Sequence, residues 1–265
     1  MKKKLGKLKP KKTVELSKTL SIISLFSGAG GMDIGFQEAG FSTAVLLEHD
    51  SSCCDTLRKN MPNTPILEGD IRTITSQQIL SAANLKVLEA SLVIGGPPCQ
   101  SFSLAGKRMG MNDPRGMLVL EFIRVVRETL PIGFVMENVK GMLNWANGAA
   151  LTAILEEARQ PITYNGCIYK YDVSFKVING VDYGVPQHRE RVFIVGNRIS
   201  KKFSFPEATH SETHSEKQVD FLKRPTLPYM TVKNAIGALP PALPPSETAI
   251  RISKTIKDRI KKHGY

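Results

Sequence analysis

Short apolar runs alternate along this chain with stretches in which apolar positions recur at helical spacing. Ile22 to Phe26, Thr43 to Leu47, Leu92 to Ile94, Gly133 to Met136 and Val192 to Val195 read as buried strands. Met32 to Ala39, Ser51 to Asn60 and Met117 to Thr129 read as helices between them. Strands spaced by helices predict an α/β fold with a doubly wound, mostly parallel sheet, placed here in residues 18–200. After Asn197 the pattern changes, because Pro206, Pro225, Pro228, Pro240, Pro241, Pro244 and Pro245 punctuate a polar stretch. Residues 201–265 are therefore expected to be a connector that ends in a short basic amphipathic helix, with Ile252, Ile256 and Ile260 recurring among lysines and arginines.

Composition narrows the class. With 265 residues and 42% hydrophobic content, the chain can form one large α/β domain and an appendage. No apolar stretch approaches the roughly 20 residues that span a bilayer, and no signal-peptide pattern precedes the first strand, so a bacterial cytoplasmic location is expected. Cys53, Cys54, Cys99 and Cys167 show neither CxxC spacing nor a zinc-ligand pattern, which predicts reduced thiols and no structural metal. The formal charge is +12, and Lys2, Lys3, Lys4, Lys7, Lys9, Lys11 and Lys12 put more than half of it into the first twelve residues of a basic arm, residues 1–17. Such an arm suits non-specific phosphate contact or simple solubility.

Candidate chemistry gathers where strands end. The run Ser27-Gly28-Ala29-Gly30-Gly31 follows the first strand and opens a helix, so backbone can approach a ligand at a helix amino terminus. It departs from G-x-G-x-x-G, because Asp33 stands at the third glycine's place. Glu48 ends the next strand, where an acid can take ribose hydroxyls, and Asp70 ends the third. Acidic neighbours suit a cationic sulfonium better than a pyrophosphate.

Leu92 to Ile94 runs into Gly95-Gly96-Pro97-Pro98-Cys99-Gln100-Ser101-Phe102, which sets a thiol on a proline turn just past a buried strand. Phe134-Val135-Met136 delivers Glu137-Asn138-Val139 to the same sheet edge. Gln187-His188-Arg189-Glu190-Arg191 precedes the last strand, and residues two apart share a face of extended chain, so Arg189 and Arg191 can point together. Ser103 to Gly116, with Lys107, Arg108 and Arg115 among glycines, reads as a mobile loop able to close over a substrate.

These blocks, in this order, resemble the C5-cytosine methyltransferases, and the resemblance covers about residues 20–200. It implies a Rossmann-like methyltransferase fold, S-adenosyl-L-methionine as cofactor and double-stranded DNA as substrate. It assigns Phe26 to the adenine, Glu48 to the ribose and Asp70 with Ile71 to the adenine edge, with Gly28, Gly30, Gly31 and Pro98 completing the cofactor site. By the same resemblance Cys99 attacks C6 of a flipped cytosine, Glu137 contacts N3 and the exocyclic amine, Arg191 the base and Arg189 the backbone. A thiolate is needed because C5 of cytosine is a poor nucleophile until the ring is made electron-rich. Gln100, Ser101, Ser103, Lys107, Arg108, Arg115 and Asn138 are the expected DNA contacts.

Two alternatives use the same fold: an RNA-directed cytosine-5 methyltransferase and a non-catalytic nucleic-acid-binding or regulatory relative. Thr231 to Pro240 resembles the family segment that precedes target recognition, but no recognition domain and no late Gln-x-Gly-Asn-x-Val block follow it. The expectation is therefore a second polypeptide that carries target recognition and the final motif, within a restriction-modification system.

Overall fold

Strands that are apolar at successive positions, without alternation, need cover on both faces, which a parallel sheet between helices provides. The computed structural model describes residues 20–98, 117–199, 202–212, 226–240 and 246–263. Its elements are β1 (Leu20–Leu25), α1 (Gly31–Glu38), β2 (Phe41–Glu48), α2 (Ser51–Asn60), β3 (Ile66–Glu68), α3 (Ser76–Ala82), β4 (Leu92–Gly95), α4 (Met117–Thr129) and β5 (Gly133–Val139). There follow a 3-10 segment (Lys140–Gly148), α5 (Ala149–Arg159), the hairpin β6 (Ile162–Tyr164) and β7 (Cys167–Tyr169), β8 (Asp172–Asn179), a 3-10 turn (Gly180–Tyr183) and β9 (Glu190–Asn197). The last elements are β10 (His210–Ser211), β11 (Leu227–Pro228), α6 (Val232–Ile236) and α7 (Glu247–His263).

Seven strands form one sheet in the order β3-β2-β1-β4-β5-β9-β8. Pairing is parallel from β3 through β5, so the expected doubly wound, mostly parallel sheet is borne out. β9 and β8 join antiparallel, so the last apolar run enters the sheet in the reverse direction. Ile22, Ile23, Leu25, Val45, Leu46, Val93, Ile94, Phe134, Met136, Val192 and Ile194 are all buried on these strands. α4 covers one face with Val119, Phe122, Ile123, Val125 and Val126. Phe134 is edge-on to both Phe122 and Tyr171, at 6.2 and 5.5 Å between ring centroids. The Tyr171 hydroxyl donates to the Pro131 carbonyl at 2.7 Å, which satisfies the one polar atom of this aromatic cluster.

Strand order reverses between β1 and β4, the switch point at which open α/β sheets bind ligands. The two strands meet so closely there that a Cβ on Gly95 would lie 2.2 Å from the Leu25 carbonyl oxygen. Among the described residues, no helix is long and apolar enough to cross a membrane.

The described residues fall into two compact units. Those up to Asn179, with Arg189–Glu207, hold the sheet; Gly180–His188 and the residues from Ala208 onward form the second. Within the second, Asp182 accepts from the Tyr229 hydroxyl at 2.8 Å and its carbonyl accepts from the Thr209 N–H at 2.9 Å. The expected basic terminal helix is present as α7, longer than its isoleucine spacing alone implies, with Ile250, Ile252 and Ile256 exposed.

Candidate active site and its cleft

A cleft of about 460 Å³ opens at the carboxyl ends of β1, β2 and β4, within the range of small-molecule sites. Phe26, Glu48, Asp70, Ile71 and Pro98 line it, so five of the expected cofactor residues share one cavity. Leu47, His49, Asp50, Gly69, Arg72, Gly96 and Leu118 complete the wall. Phe26 has φ 52, a left-handed backbone that a bulky residue adopts at a cost and that marks a constrained turn.

The glycine turn acts on the cleft through its backbone. The Gly28 N–H donates to Glu48 Oε2 at 2.7 Å, and the His49 and Asp50 N–H groups donate to Glu48 Oε1 at 2.7 and 2.9 Å. Three amides therefore fix the carboxylate and leave Oε2 a lone pair for one further donor. Gly30 caps α1 at φ 85, and a Cβ there would press on Leu57 and Met61 at 3.0 and 3.1 Å. Its role in the structure is close packing of α1 on α2, while Gly31 begins α1 with open space around it.

Asp70 takes both the N–H and the guanidinium of Arg72. Those hydrogen bonds hold its carboxyl well below the usual carboxylate range, at about 2. Sequence reasoning found Asp70 and missed Arg72, whose side chain is brought onto Asp70 by a turn over residues 71–73 in which the Thr73 N–H donates to the Asp70 carbonyl at 2.9 Å. Ile71 is buried, and its carbonyl accepts from Arg124 of α4 at 3.0 Å.

At the neighbouring edge, antiparallel pairing of β5 with β9 sets Val139 opposite Arg191 and Glu137 opposite Phe193. Arg191 Nε lies 3.0 Å from Glu137 Oε1, and about a quarter of each side chain is exposed. Arg191 also donates to the Glu190 carbonyl at 2.8 Å, so its fork is braced from two sides. A Cβ on Gly96 would reach 3.1 Å from Glu137 Oε2, so the glycine makes room for the carboxylate. Arg189 stands exposed just ahead of β9, with its N–H donating to Asn179 Oδ1 at 2.9 Å.

Asn138, an expected DNA contact, is buried. It is only 4% exposed, its Nδ2 donates to the Pro97 carbonyl at 3.1 Å and its Oδ1 accepts from the Val139 N–H at 2.8 Å. Each functional atom bonds backbone, which makes Asn138 a strut between β5 and the proline turn. Cys99, Gln100, Ser101, Ser103, Lys107, Arg108 and Arg115 lie outside the described residues, as does the basic arm.

Comparison with known proteins gives this geometry its context. The model of a family described as C-5 cytosine-specific DNA methylase matches residues 20–264. The chain is 67% identical to the Type II methyltransferase M.AquIA of Picosynechococcus over 92% of this chain and 98% of that protein. It is 36% identical to the Type II methyltransferase M.SacI of Streptomyces achromogenes over 83% of this chain but 58% of the relative. Several further Type II methyltransferases are matched over only about half of their own length. Among solved structures, an E. coli prophage-encoded protein described as a DNA modification methyltransferase superposes with a TM-score of 0.64 at 27% identity, covering 84% of this chain and 56% of that one. The DNMT2 structure from Spodoptera frugiperda, at 24% identity and a TM-score of 0.53 over 71% and 53% of the two chains, shares the fold.

Proposed function

Because the chain belongs to the C-5 cytosine-specific DNA methylase family, we propose that it methylates C5 of cytosine in DNA, with S-adenosylmethionine as donor and as part of a Type II restriction-modification system. One observation carries this reading: Glu137 and Arg191 are joined at 3.0 Å on the β5 and β9 edge, one residue from the Asn138 strut that grips the Pro97 carbonyl. The acid and the cation are thereby held beside the turn that leads to Cys99.

The chemistry follows from these groups. The Cys99 thiolate adds to C6 of a cytosine taken out of the stack, and the C5=C6 π pair moves into the ring, with density reaching N3. Glu137 in its protonated form donates its proton to N3 and so neutralises that charge, while Arg191 orients Glu137 and offers its fork to the base. When bound, the sulfonium cofactor supplies an electrophilic methyl group for C5. Loss of the C5 proton to a base then restores the double bond and expels the thiolate. The donor set of the cleft fits the cofactor: carboxylates of Glu48 and Asp70 suit hydroxyl and amino hydrogens and a positive ligand, and Phe26, Leu47, Ile71 and Leu118 give an apolar wall.

Target recognition is proposed to come from a second polypeptide. The chain spans 98% of M.AquIA but 58% of M.SacI and 53% of M1.HphI. Flipping a base costs a few kcal/mol, which groove contacts must offset.

Nucleoside mass spectrometry tests the reading. The chain co-expressed with the product of its neighbouring reading frame should place 5-methylcytosine in DNA and not in transfer RNA, and Glu137→Gln should lower the rate by about 10²- to 10⁴-fold. Methylation confined to RNA would overturn the substrate assignment. Site-specific DNA methylation by the chain alone would overturn the second polypeptide.

A further inference from the structure

Asp33 is the one acid buried completely among the described residues, and nothing in the proposed chemistry uses it. It sits in the first turn of α1, directly after the glycine turn, where Gly30 provides no side-chain cap. Its Oδ1 accepts from Thr43 Oγ1 of β2 at 3.1 Å and its Oδ2 from Ser24 Oγ of β1 at 2.9 Å. Ser24 Oγ lies 3.0 Å from Ser27 Oγ, which is also within reach of the Ser24 and Leu47 carbonyls at 3.2 and 3.3 Å. Ser27 in turn anchors the glycine turn: its N–H donates to the Leu47 carbonyl at 3.2 Å and its carbonyl accepts from the Gly30 N–H at 2.9 Å. The next amide, Gly28, holds Glu48.

Resting on the cofactor reading above, we infer that Asp33 is a positioning residue for the cofactor cleft, acting through Ser24 and Ser27 to fix the turn that holds Glu48. The carboxylate sets the direction of the network. Ser24 has one O–H and spends it on Asp33, so its oxygen is left to accept from Ser27. An amide at residue 33 can donate to Ser24 instead, which turns the Ser24 O–H toward Ser27 and reverses the two links from residue 33 to Ser24 and from Ser24 to Ser27. Stability gives no reason for an acid here, since burial of a carboxylate is costly and apolar replacements of buried charges are often neutral or better. Burial pushes the Asp33 carboxyl up, and the bonds from Ser24 and Thr43 partly offset it.

The test is calorimetric binding of S-adenosylhomocysteine to the full chain, with melting temperature measured in parallel. Asp33→Asn should weaken binding about tenfold and Ser27→Ala, at a half-buried position outside the cleft wall, about fivefold, as loss of one or two hydrogen bonds implies. Ile154→Val, in the core at α5 and outside this network, should lower the melting temperature without moving affinity. A merely structural Asp33 would behave like Ile154. Binding by folded Asp33→Asn and Ser27→Ala within about twofold of wild type would overturn the inference. If Asp33→Asn does not fold, Ser27→Ala alone decides. A wild-type chain that fails to bind S-adenosylhomocysteine would overturn the cofactor reading itself, which is a distinct result.

Discussion

Several residues around the cleft are held through backbone groups. Glu48 is fixed by three amides, Asn138 grips a proline carbonyl and Arg124 reaches the carbonyls of Ile71 and Ile74. Asp70 depends instead on the Arg72 guanidinium. Its carboxyl is depressed from 3.8 to about 2. A depressed acid stabilises the fold above its unfolded value and loses that contribution as pH falls through its folded value. Arg72→Ala should therefore return the Asp70 titration towards 3.8, and in thermal melts its stability deficit at neutral pH should shrink as pH falls from 3.8 to about 2, the window in which wild type loses this contribution. An unchanged Asp70 titration, followed by carboxyl NMR, would show that Arg72 does not set it. The motif residues of the site were legible because each type has one chemical use at a strand end. Arg72, Ser24 and Thr43 were not, because their roles exist only through a partner that folding brings near.

At the scale of elements, the sequence pattern works where burial is complete. α2 and α4 have the bounds that their periodicity predicts, β2, β4 and β5 contain the expected apolar runs, and β1 ends at Leu25, one residue short of the expected Phe26. β8, α3 and α5 went unread. β8 is an edge strand, with a lysine and an aspartate along it and three of its eight residues exposed, so its apolar signal is diluted. α3 is seven residues long and mostly polar, set by the Thr75 capping box rather than by an apolar stripe. Close contact between β5 and β9 gives a separate prediction. A Cβ on Gly196 would fall 2.1 Å from a ring carbon of Phe134, the centre of the aromatic cluster. Gly196→Ala should cost about 1–3 kcal/mol in denaturant unfolding, the usual range for overpacking a filled core. Wild-type stability in that variant would mean that the Phe134 ring has space to move aside.

For the whole molecule, the sheet unit brings the cleft at the switch point and the Glu137–Arg191 pair within one compact body. Its family membership rests on a match from residue 20 to 264 and on a relative with 67% identity, and the sequence blocks had pointed the same way. What the blocks could not tell is the DNA sequence modified, since the residues that read a groove follow no pattern tied to the fold. The central claim is that Cys99 is the nucleophile of cytosine methylation, and covalent trapping tests it most directly. DNA carrying 5-fluorocytosine at the target, incubated with S-adenosylmethionine and the co-expressed assembly, should give an adduct that survives denaturation, because fluorine cannot leave C5 as a proton does. Mass spectrometry should place the bond on Cys99, and Cys99→Ala should abolish it. An equally abundant adduct from Cys99→Ala protein, or one mapped to another residue, would contradict the account.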